Sequence, residues 1–357
     1  MNTRHRAVGA VLAVGVLSAL TACASGAGTD SAGGGSSSLS IYAWAGEIPD
    51  SVISGFEKET GITVTVDTFD SNETMISKLA AGNSGYDIVE PSQYAVQLLV
   101  DRNLVAQIDK SKLEGFDNLA EKFVDPSFDP DNAHAIPWAW GTTGILYNQA
   151  CTGKEITGWA DMWDPAYSGK IYMLDNMLSA YIAGLQVEGL SATTTSQDDI
   201  EKATQKLIEQ KPLLAGYNSQ NYADLVGSGD ACIAEAYSGT TAAKAVMANS
   251  DVHYIIPEEG GTLWTDSFSV VEGTSNTDAA YKWLNYTLRP EVAALLTDDA
   301  SLASTNAGAL ELVKDQSLVS NPAIYAPADS LTKSEFIVDP GAALSYFQDG
   351  WTRLRAS

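Results

Sequence analysis

LSIYAWAGEIPDSVISGFEKETGITVTVDTFDSNETMISKLAAGNSGYDIV, residues 39–89, alternates short apolar runs with amphipathic segments. Short runs rich in Ile, Val and Tyr are typical of strands, whereas Ser-Asn-Glu-Thr before a periodic segment is typical of a helix start. The pattern predicts, in order, strand 39–44, helix 49–61, strand 62–69, helix 71–81 and strand 86–89. This order predicts a doubly wound α/β unit with a mostly parallel sheet.

The alternation continues later in the chain. It predicts further helices at 196–210, 240–248 and 276–288. In the first of these, Ser196 is followed three residues later by Asp199, which is expected to complete a capping box. Pro290 ends the last one, and another helical stretch follows it. Because roughly 320 residues from residue 39 onward exceed the size that one hydrophobic core usually serves, we expect two domains.

The N-terminus has the composition of a targeting segment followed by a tether. Arg4 and Arg6 precede an apolar run at 7–20, whose last residue begins the Leu-Thr-Ala-Cys sequence at 20–23. This order predicts a signal peptide, and the ending resembles a bacterial lipobox in which the cysteine is acylated. The resulting division is a signal peptide at 1–22 and a lipidated, Gly- and Ser-rich tether at 23–38. The alternative is an ordinary secretory peptide with an incidental cysteine.

Net charge restricts the partners of the protein. The chain carries 45 Asp and Glu against 20 Lys and Arg, which gives a formal net charge of −25 at pH 7. An acidic surface disfavours nucleic acid and anionic substrates, and it is compatible with a cationic ligand. We therefore expect no nucleic-acid partner.

Two cysteines remain after Cys23, namely Cys151 and Cys232. In an oxidising compartment they form either one disulfide or two separate buried thiols. The sequence leaves both open, because it does not supply the distance between the two Cα atoms.

The signatures of secreted enzymes are missing from the sequence. It contains no Gly-x-Ser-x-Gly, no His-Glu-x-x-His and no phosphate-binding glycine loop. Its three histidines, of which His5 lies in the predicted signal peptide, are too few for a histidine-rich metal site. The acidic loop 125–131 lacks the central glycine and distal Glu of a calcium loop. We expect neither a metal nor a cofactor, although these absences leave carboxylate catalysis open.

Short motifs along the whole mature chain carry a family resemblance. They are YAW at 42–44, FEKETGI at 56–62, SNETM at 71–75, YD at 86–87, PS at 91–92, IDKSKL at 108–113, IP at 136–137, WG at 140–141, EGG at 259–261, DS at 266–267 and LRP at 288–290. In order and spacing they resemble the spermidine/putrescine-binding proteins of polyamine ABC transporters. The resemblance implies an α/β, two-lobed type II periplasmic-binding-protein fold with hinge-crossing segments.

The resemblance also implies lobe boundaries and pocket positions. The N-lobe would comprise 39–139 plus 268–304, and the C-lobe 140–267 plus 305–357. The ligand-binding positions would be Trp44, Ser92, Tyr94, Tyr237, Trp264 and Asp266. Rings that cover methylene groups and a carboxylate that holds an ammonium suit a polyamine, because a buried cation needs a countercharge or a π face.

This chain departs from the family pattern at several pocket positions. Where the family has two acids for a terminal amine, the sequence offers Asp175 one position early, and then Asn176 and Ser179. Leu302 and Ile337 replace polar pocket residues. Further acids near the pocket are Glu47, which follows the first strand, and Glu90, two residues before Ser92. Of these, Glu47, Glu90, Asp175 and Asn176 are secondary candidates for ligand contact.

Taken together, the sequence predicts the substrate-binding lipoprotein of an ABC importer, without enzymatic activity. We expect a monomer outside the cytoplasm, held at the cell membrane through Cys23, which captures a polyamine and delivers it to the permease subunits. One alternative keeps this role with another solute, namely thiamine, a quaternary amine, an aminophosphonate or an opine. A secreted enzyme is the less favoured alternative.

Overall fold

A computed structural model describes residues 38–357, so the predicted signal peptide, Cys23 and nearly all of the tether lie outside the described residues. The strands are β1 Ser38–Trp44, β2 Thr63–Phe69, β3 Ile88–Val89, β4 Ile136–Asn148, β5 Ile171–Met173, β6 Leu214–Tyr217, β7 Ile233–Tyr237, β8 Val252–Ile255, β9 Thr262–Val270, β10 Ala303–Ser304 and β11 Glu335–Phe336. The helices are α1 Asp50–Thr60, α2 Asn72–Ala80, α3 Gln93–Asp101, α4 Gln149–Thr152, α5 Met177–Gln186, α6 Gln197–Gln210, α7 Tyr222–Ser228, α8 Thr240–Ala248, α9 Thr277–Thr287, α10 Pro290–Ala300, α11 Gln316–Val319 and α12 Leu344–Ala356.

These elements confirm the predicted alternation of strands and helices, with element ends that differ by at most two residues. Local signals explain the agreement. Ser71 accepts a hydrogen bond from the backbone N–H of Thr74 at the start of α2, and Gly61 ends α1 in the left-handed conformation. None of the helices that the structure describes is long and apolar enough to cross a membrane.

The predicted capping box of α6 is wrong. Ser196 does accept a hydrogen bond from the backbone N–H of Asp199 at 3.4 Å. The reciprocal bond is replaced, because the backbone N–H of Ser196 donates to the hydroxyl of Thr194, two residues earlier. The Asp199 carboxylate accepts from Thr194 and Lys202 instead. A nearer hydroxyl therefore outcompetes the carboxylate for the same N–H.

One sheet runs through the described chain in the order β2-β1-β3-β9-β4-β7-β5-β6. Its two outer parts are parallel, since β1 pairs with β2 and β3 in one part and β5 pairs with β6 and β7 in the other. Between them, β9 runs antiparallel to both β3 and β4. All thirteen residues of β4 are buried. The antiparallel pair of β4 and β9 therefore joins two parallel α/β units.

Aromatic side chains form the core around this central pair. The ring of Trp283 on α9 lies 5.2 Å from Phe56 on α1 and 5.7 Å from Phe268 on β9, measured between ring centroids. Trp138 on β4 lies 5.5 Å from Phe268. A second core lies around α5 and α12, where Tyr181 and Phe347 pack edge to face at 5.0 Å. Buried rings of this size hold the strand ends, and with them the candidate site, in fixed positions.

Cys151 and Cys232 are joined by a disulfide in the structure, with their Cα atoms 5.1 Å apart. The bond connects α4, which follows β4, to the residue before β7, and 81 positions separate the two cysteines. Such a loop loses considerable freedom in the unfolded chain when it is closed.

We expect replacement of both Cys151 and Cys232 by serine to lower the free energy of unfolding by about 2–4 kcal/mol, because the unfolded chain regains the freedom of that loop. Denaturant titration of the oxidised wild type and of the variant measures this difference. Mass mapping of peptides under non-reducing conditions is the control, and two free thiols in the wild type would contradict the pairing.

Candidate functional site

Asp266 occupies the central strand β9 and is only 4% exposed. Its neighbour Thr265 faces the other way and donates to the carbonyl of Ala139 at 2.8 Å, which fixes the strand against β4. The Ser92 hydroxyl donates to Asp266 Oδ1 at 2.6 Å. Ser92 sits at the start of α3, yet its hydroxyl bonds this carboxylate rather than a backbone N–H of the first turn. The first turn of α3 and the middle of β9 are thus joined through a carboxylate.

Two further acids lie close to Asp266. Glu90 is fully buried, and its Oε2 accepts a hydrogen bond from the backbone N–H of Trp44 at 3.0 Å. Within residues 38–357, Glu90 Oε1 and Glu47 Oε2 are buried atoms without a hydrogen-bond partner. Both Glu47 and Glu90 interact electrostatically with Asp266. We call Glu47, Glu90 and Asp266 the acidic cluster.

Burial dominates the ionisation of the acidic cluster. It raises the pKa of Glu47 well above the ordinary range, and repulsion from Asp266 and then Glu90 adds to this. It likewise raises the pKa of Glu90, with a further contribution from Asp266. The pKa of Asp266 is also raised by burial, which outweighs the opposing hydrogen bond from Ser92. Without a cation, the cluster therefore retains protons at pH values where exposed carboxyls are ionised.

Half-buried aromatic rings surround the acidic cluster. The Trp44 side chain lies beside Asp266, and its ring packs on Phe69 with centroids 4.5 Å apart. Trp264, two residues before Asp266 on the same side of β9, donates from its indole N–H to the Thr142 carbonyl at 3.1 Å. A Cβ atom at Gly141 would lie 2.2 Å from the Trp264 ring, so only glycine permits this approach.

Tyr94 and Tyr237 are also half-buried, but different elements hold them. The Tyr94 hydroxyl on α3 donates to Glu73 at 3.4 Å, and burial raises the pKa of this phenol. The Tyr237 hydroxyl at the end of β7 lies 3.0 Å from Ser179 Oγ in the first turn of α5. Tyr94 interacts electrostatically with both Asp266 and Tyr237, so it lies near the acidic cluster and near the end of β7.

The structure does not bring Asp175 and Asn176 into the acidic cluster. The Asp175 side chain is 52% exposed, and its carboxylate pairs with the Arg355 guanidinium at 3.0 Å. Asn176 is exposed and caps α5 by accepting from the backbone N–H of Ser179 at 3.1 Å. Both side chains therefore have structural partners at the surface, so Glu47 and Glu90 remain the secondary candidates that the geometry favours.

Comparison with known proteins identifies the family. The family model described as bacterial extracellular solute-binding protein matches residues 51–326. The spermidine/putrescine-binding periplasmic protein of Escherichia coli strain K12 is 33% identical over 320 residues, which cover 89% of this chain and 91% of that protein. This chain is a bacterial extracellular solute-binding protein.

Solved structures agree with this assignment. The spermidine/putrescine ABC transporter substrate-binding protein PotD of Streptococcus pneumoniae superposes with a TM-score of 0.81 at 28% identity, covering 90% of this chain and 99% of that one. The TpPotD lipoprotein of Treponema pallidum gives a TM-score of 0.82 at 26% identity, covering 90% and 100%. The predicted two-lobed type II fold is confirmed, and so is the prediction of a binding protein rather than an enzyme.

Glu235 is a buried acid of this solute-binding protein that the sequence analysis did not single out. It lies in Ile-Ala-Glu-Ala-Tyr, the sequence of β7, and burial raises its pKa to about 8 against an opposing hydrogen bond from the backbone N–H of Leu174. Strand alternation could have identified Glu235 from the sequence, since it lies two residues before the pocket candidate Tyr237 and therefore on the same face of the strand. Burying an acid in an otherwise apolar strand costs free energy unless a partner compensates it.

The acidic cluster makes the stability of the ligand-free protein depend on pH. A carboxyl whose pKa is raised by folding binds its proton more tightly in the folded state, so stability is highest below the unfolded pKa and is lost as pH rises through the folded pKa. We therefore expect the free energy of unfolding to fall between about pH 5 and pH 8, and to fall less steeply in Asp266→Asn.

Denaturant titration of both proteins across this range measures the two slopes. Glu201, whose pKa is lowered to about 2 by its hydrogen bond with Arg353, contributes the opposite slope, but only at more acidic pH. Equal slopes for the wild type and the variant would contradict a buried, proton-retaining Asp266.

Proposed function

We propose that this solute-binding protein captures a cationic amine of the polyamine class between its lobes and delivers it to an ABC permease. The observation that best supports this proposal is the acidic cluster, because the carboxylates of Glu47, Glu90 and Asp266 lie close together in a largely buried position. Across residues 38–357, no Lys, Arg or His forms an ion pair with any of the three. Buried like charges without a counterion are costly, and an ammonium group would supply the missing charge.

The aromatic rings support the same class of ligand. Trp44 lies beside Asp266, Trp264 lies two residues before it on the same side of β9, and both side chains remain partly exposed. A ring face attracts a cation and covers methylene groups equally well, which suits an alternation of ammonium and polymethylene units. An anionic or neutral solute would leave the acidic cluster uncompensated. The relatives described above are spermidine/putrescine-binding proteins, which favours the same class of ligand.

Closure of the two lobes is the proposed mechanism. With the N-lobe at 39–139 plus 268–304 and the C-lobe at 140–267 plus 305–357, Asp266 falls beside the boundary, on β9. Its hydroxyl partner Ser92 and its acidic neighbours Glu47 and Glu90 then belong to the N-lobe. A ligand that contacts both lobes stabilises the closed form, and the permease would recognise that form.

A thermal-shift panel tests the ligand class. We expect putrescine, spermidine, spermine or agmatine to raise the unfolding midpoint, because a ligand that binds only the folded state stabilises it. Thiamine, choline and 2-aminoethylphosphonate represent the alternative solutes. Stabilisation by an anionic or neutral solute alone would refute the polyamine proposal.

Asp266→Asn provides the residue-level test. The amide keeps the shape but removes the charge, and loss of one partner of a buried charged pair costs about 2 to 5 kcal/mol. We expect the affinity for the best amine of the panel to fall roughly thirtyfold or more in isothermal titration calorimetry. The exposed residue Asp251 offers a matched control, since Asp251→Asn removes the same charge from an exposed position. Unchanged affinity in Asp266→Asn would assign the ammonium to another acid.

We further propose that acylated Cys23 anchors the protein to the membrane, since the Treponema pallidum relative is a lipoprotein. Cys23→Ser should release the protein into the medium or leave the precursor unprocessed. Metabolic labelling with palmitate followed by fractionation measures both effects. A Cys23→Ser protein that still incorporates palmitate would contradict the assignment.

A further inference from the structure

Glu235 is a buried carboxylate outside the acidic cluster, and it is fully buried on β7. Its Oε2 accepts a hydrogen bond from the backbone N–H of Leu174 at 3.0 Å. Its Oε1 has no hydrogen-bond partner anywhere in residues 38–357. A buried acceptor without a partner is rare in folded proteins and calls for a ligand or another polar group.

The surroundings of Glu235 point to a ligand. Leu174 follows β5 and precedes the cap of α5, so the Glu235 carboxylate lies against the segment that leads into that helix. Strand alternation places Tyr237 on the same face, and the Tyr237 hydroxyl contacts Ser179 in that first turn. Tyr217, which interacts electrostatically with Glu235, also has a buried hydroxyl that finds no partner in the described part of the chain. Two unpartnered polar atoms therefore occur in one corner of the C-lobe.

We propose that Glu235 is a second cation-binding residue, which holds the far ammonium group of a linear polyamine whose other ammonium lies at the acidic cluster. This inference rests on the proposed function and deepens it by naming the residue of this chain that contacts the second ammonium group. It makes Glu235 a determinant of ligand length.

Strand register supports a long ligand. On β4, Ala139 pairs with Asp266 of β9, and Ile145 pairs with Glu235 of β7. Six residues of strand correspond to about 20 Å between these two levels of the sheet. A chain with three ammonium groups bridges such a span better than a four-carbon diamine does.

The ionisation of Glu235 supplies a signature of this contact. Burial raises its pKa to about 8, so the free protein holds a proton there at pH 7. The ionisable groups that interact with it are the phenols of Tyr217, Tyr222, Tyr237 and Tyr254, and burial raises the pKa of each of them. None of these phenols titrates near pH 7, and an ammonium beside Glu235 favours its ionised form. Binding of the far ammonium should therefore release the proton from Glu235.

Calorimetry of the wild type and Glu235→Gln with spermidine and with butylamine tests the inference. Glutamine keeps the acceptor for the Leu174 N–H but not the charge. We expect the affinity for spermidine to fall at least about tenfold in the variant, while the affinity for butylamine, which has one ammonium, stays unchanged. Titrations in two buffers of different ionisation enthalpy should show proton release on spermidine binding that exceeds the release with butylamine, and Glu235→Gln should remove this excess.

The outcomes separate this inference from the proposed function. Unchanged spermidine affinity in Glu235→Gln, or equal losses for spermidine and butylamine, would overturn the role of Glu235 while leaving amine binding intact. A wild type that binds no amine at all would overturn the proposed function itself, and the inference with it. The proton-release comparison on the wild type decides the matter even where the variant fails to fold, because equal release for both ligands would also refute the second site.

Discussion

The structure depends on one electrostatic constraint, which is the burial of Asp266 beside two other acids on the strand that holds the fold together. β9 pairs with β3 on one side and β4 on the other, so its middle is the most constrained part of the sheet. An acid here cannot move away from Glu47 and Glu90 to relieve repulsion. The ligand-free protein meets the constraint by retaining protons, and a cation meets it by supplying charge. The same feature therefore weakens the empty protein and creates the demand for a cationic ligand.

The surrounding polar contacts hold the carboxylates without neutralising them. Ser92 and the backbone N–H of Trp44 each donate a hydrogen bond to one acid, which fixes orientation but brings no positive charge. Gly141 allows the Trp264 ring to approach β4 at a distance that any side chain would block. The site is thus organised before a ligand arrives, and little ordering of these groups remains to oppose binding.

Local structure was predictable from sequence, whereas the acidic cluster was only partly so. The caps and stops of α1 and α2 depend on residues close in the chain, so a pattern of ten residues suffices to place them. Contact between Glu90 and Trp44 depends on parallel pairing of strands 46 positions apart. Family resemblance placed Asp266 among the pocket positions, but it does not tell a buried acid from an exposed one. Asp175 illustrates the limit, because Arg355, which lies 180 positions away, engages it at the surface.

Glu235 shows why some buried polar residues could not be identified from the sequence. A single acid in a five-residue strand is a minor feature of the pattern, and its importance arises only from the packing of Leu174 and Tyr237 around it. Proteins place such groups where function outweighs stability, since an apolar residue at the same position would pack without an unsatisfied oxygen. Glu47, Glu90 and Asp266 lie close together, whereas Glu235 is a single carboxylate that interacts with the buried phenols of Tyr217 and Tyr237. In the proposed binding mode the two ends of the ligand are recognised differently, because three carboxylates surround one ammonium group and a single carboxylate that exchanges its proton holds the other.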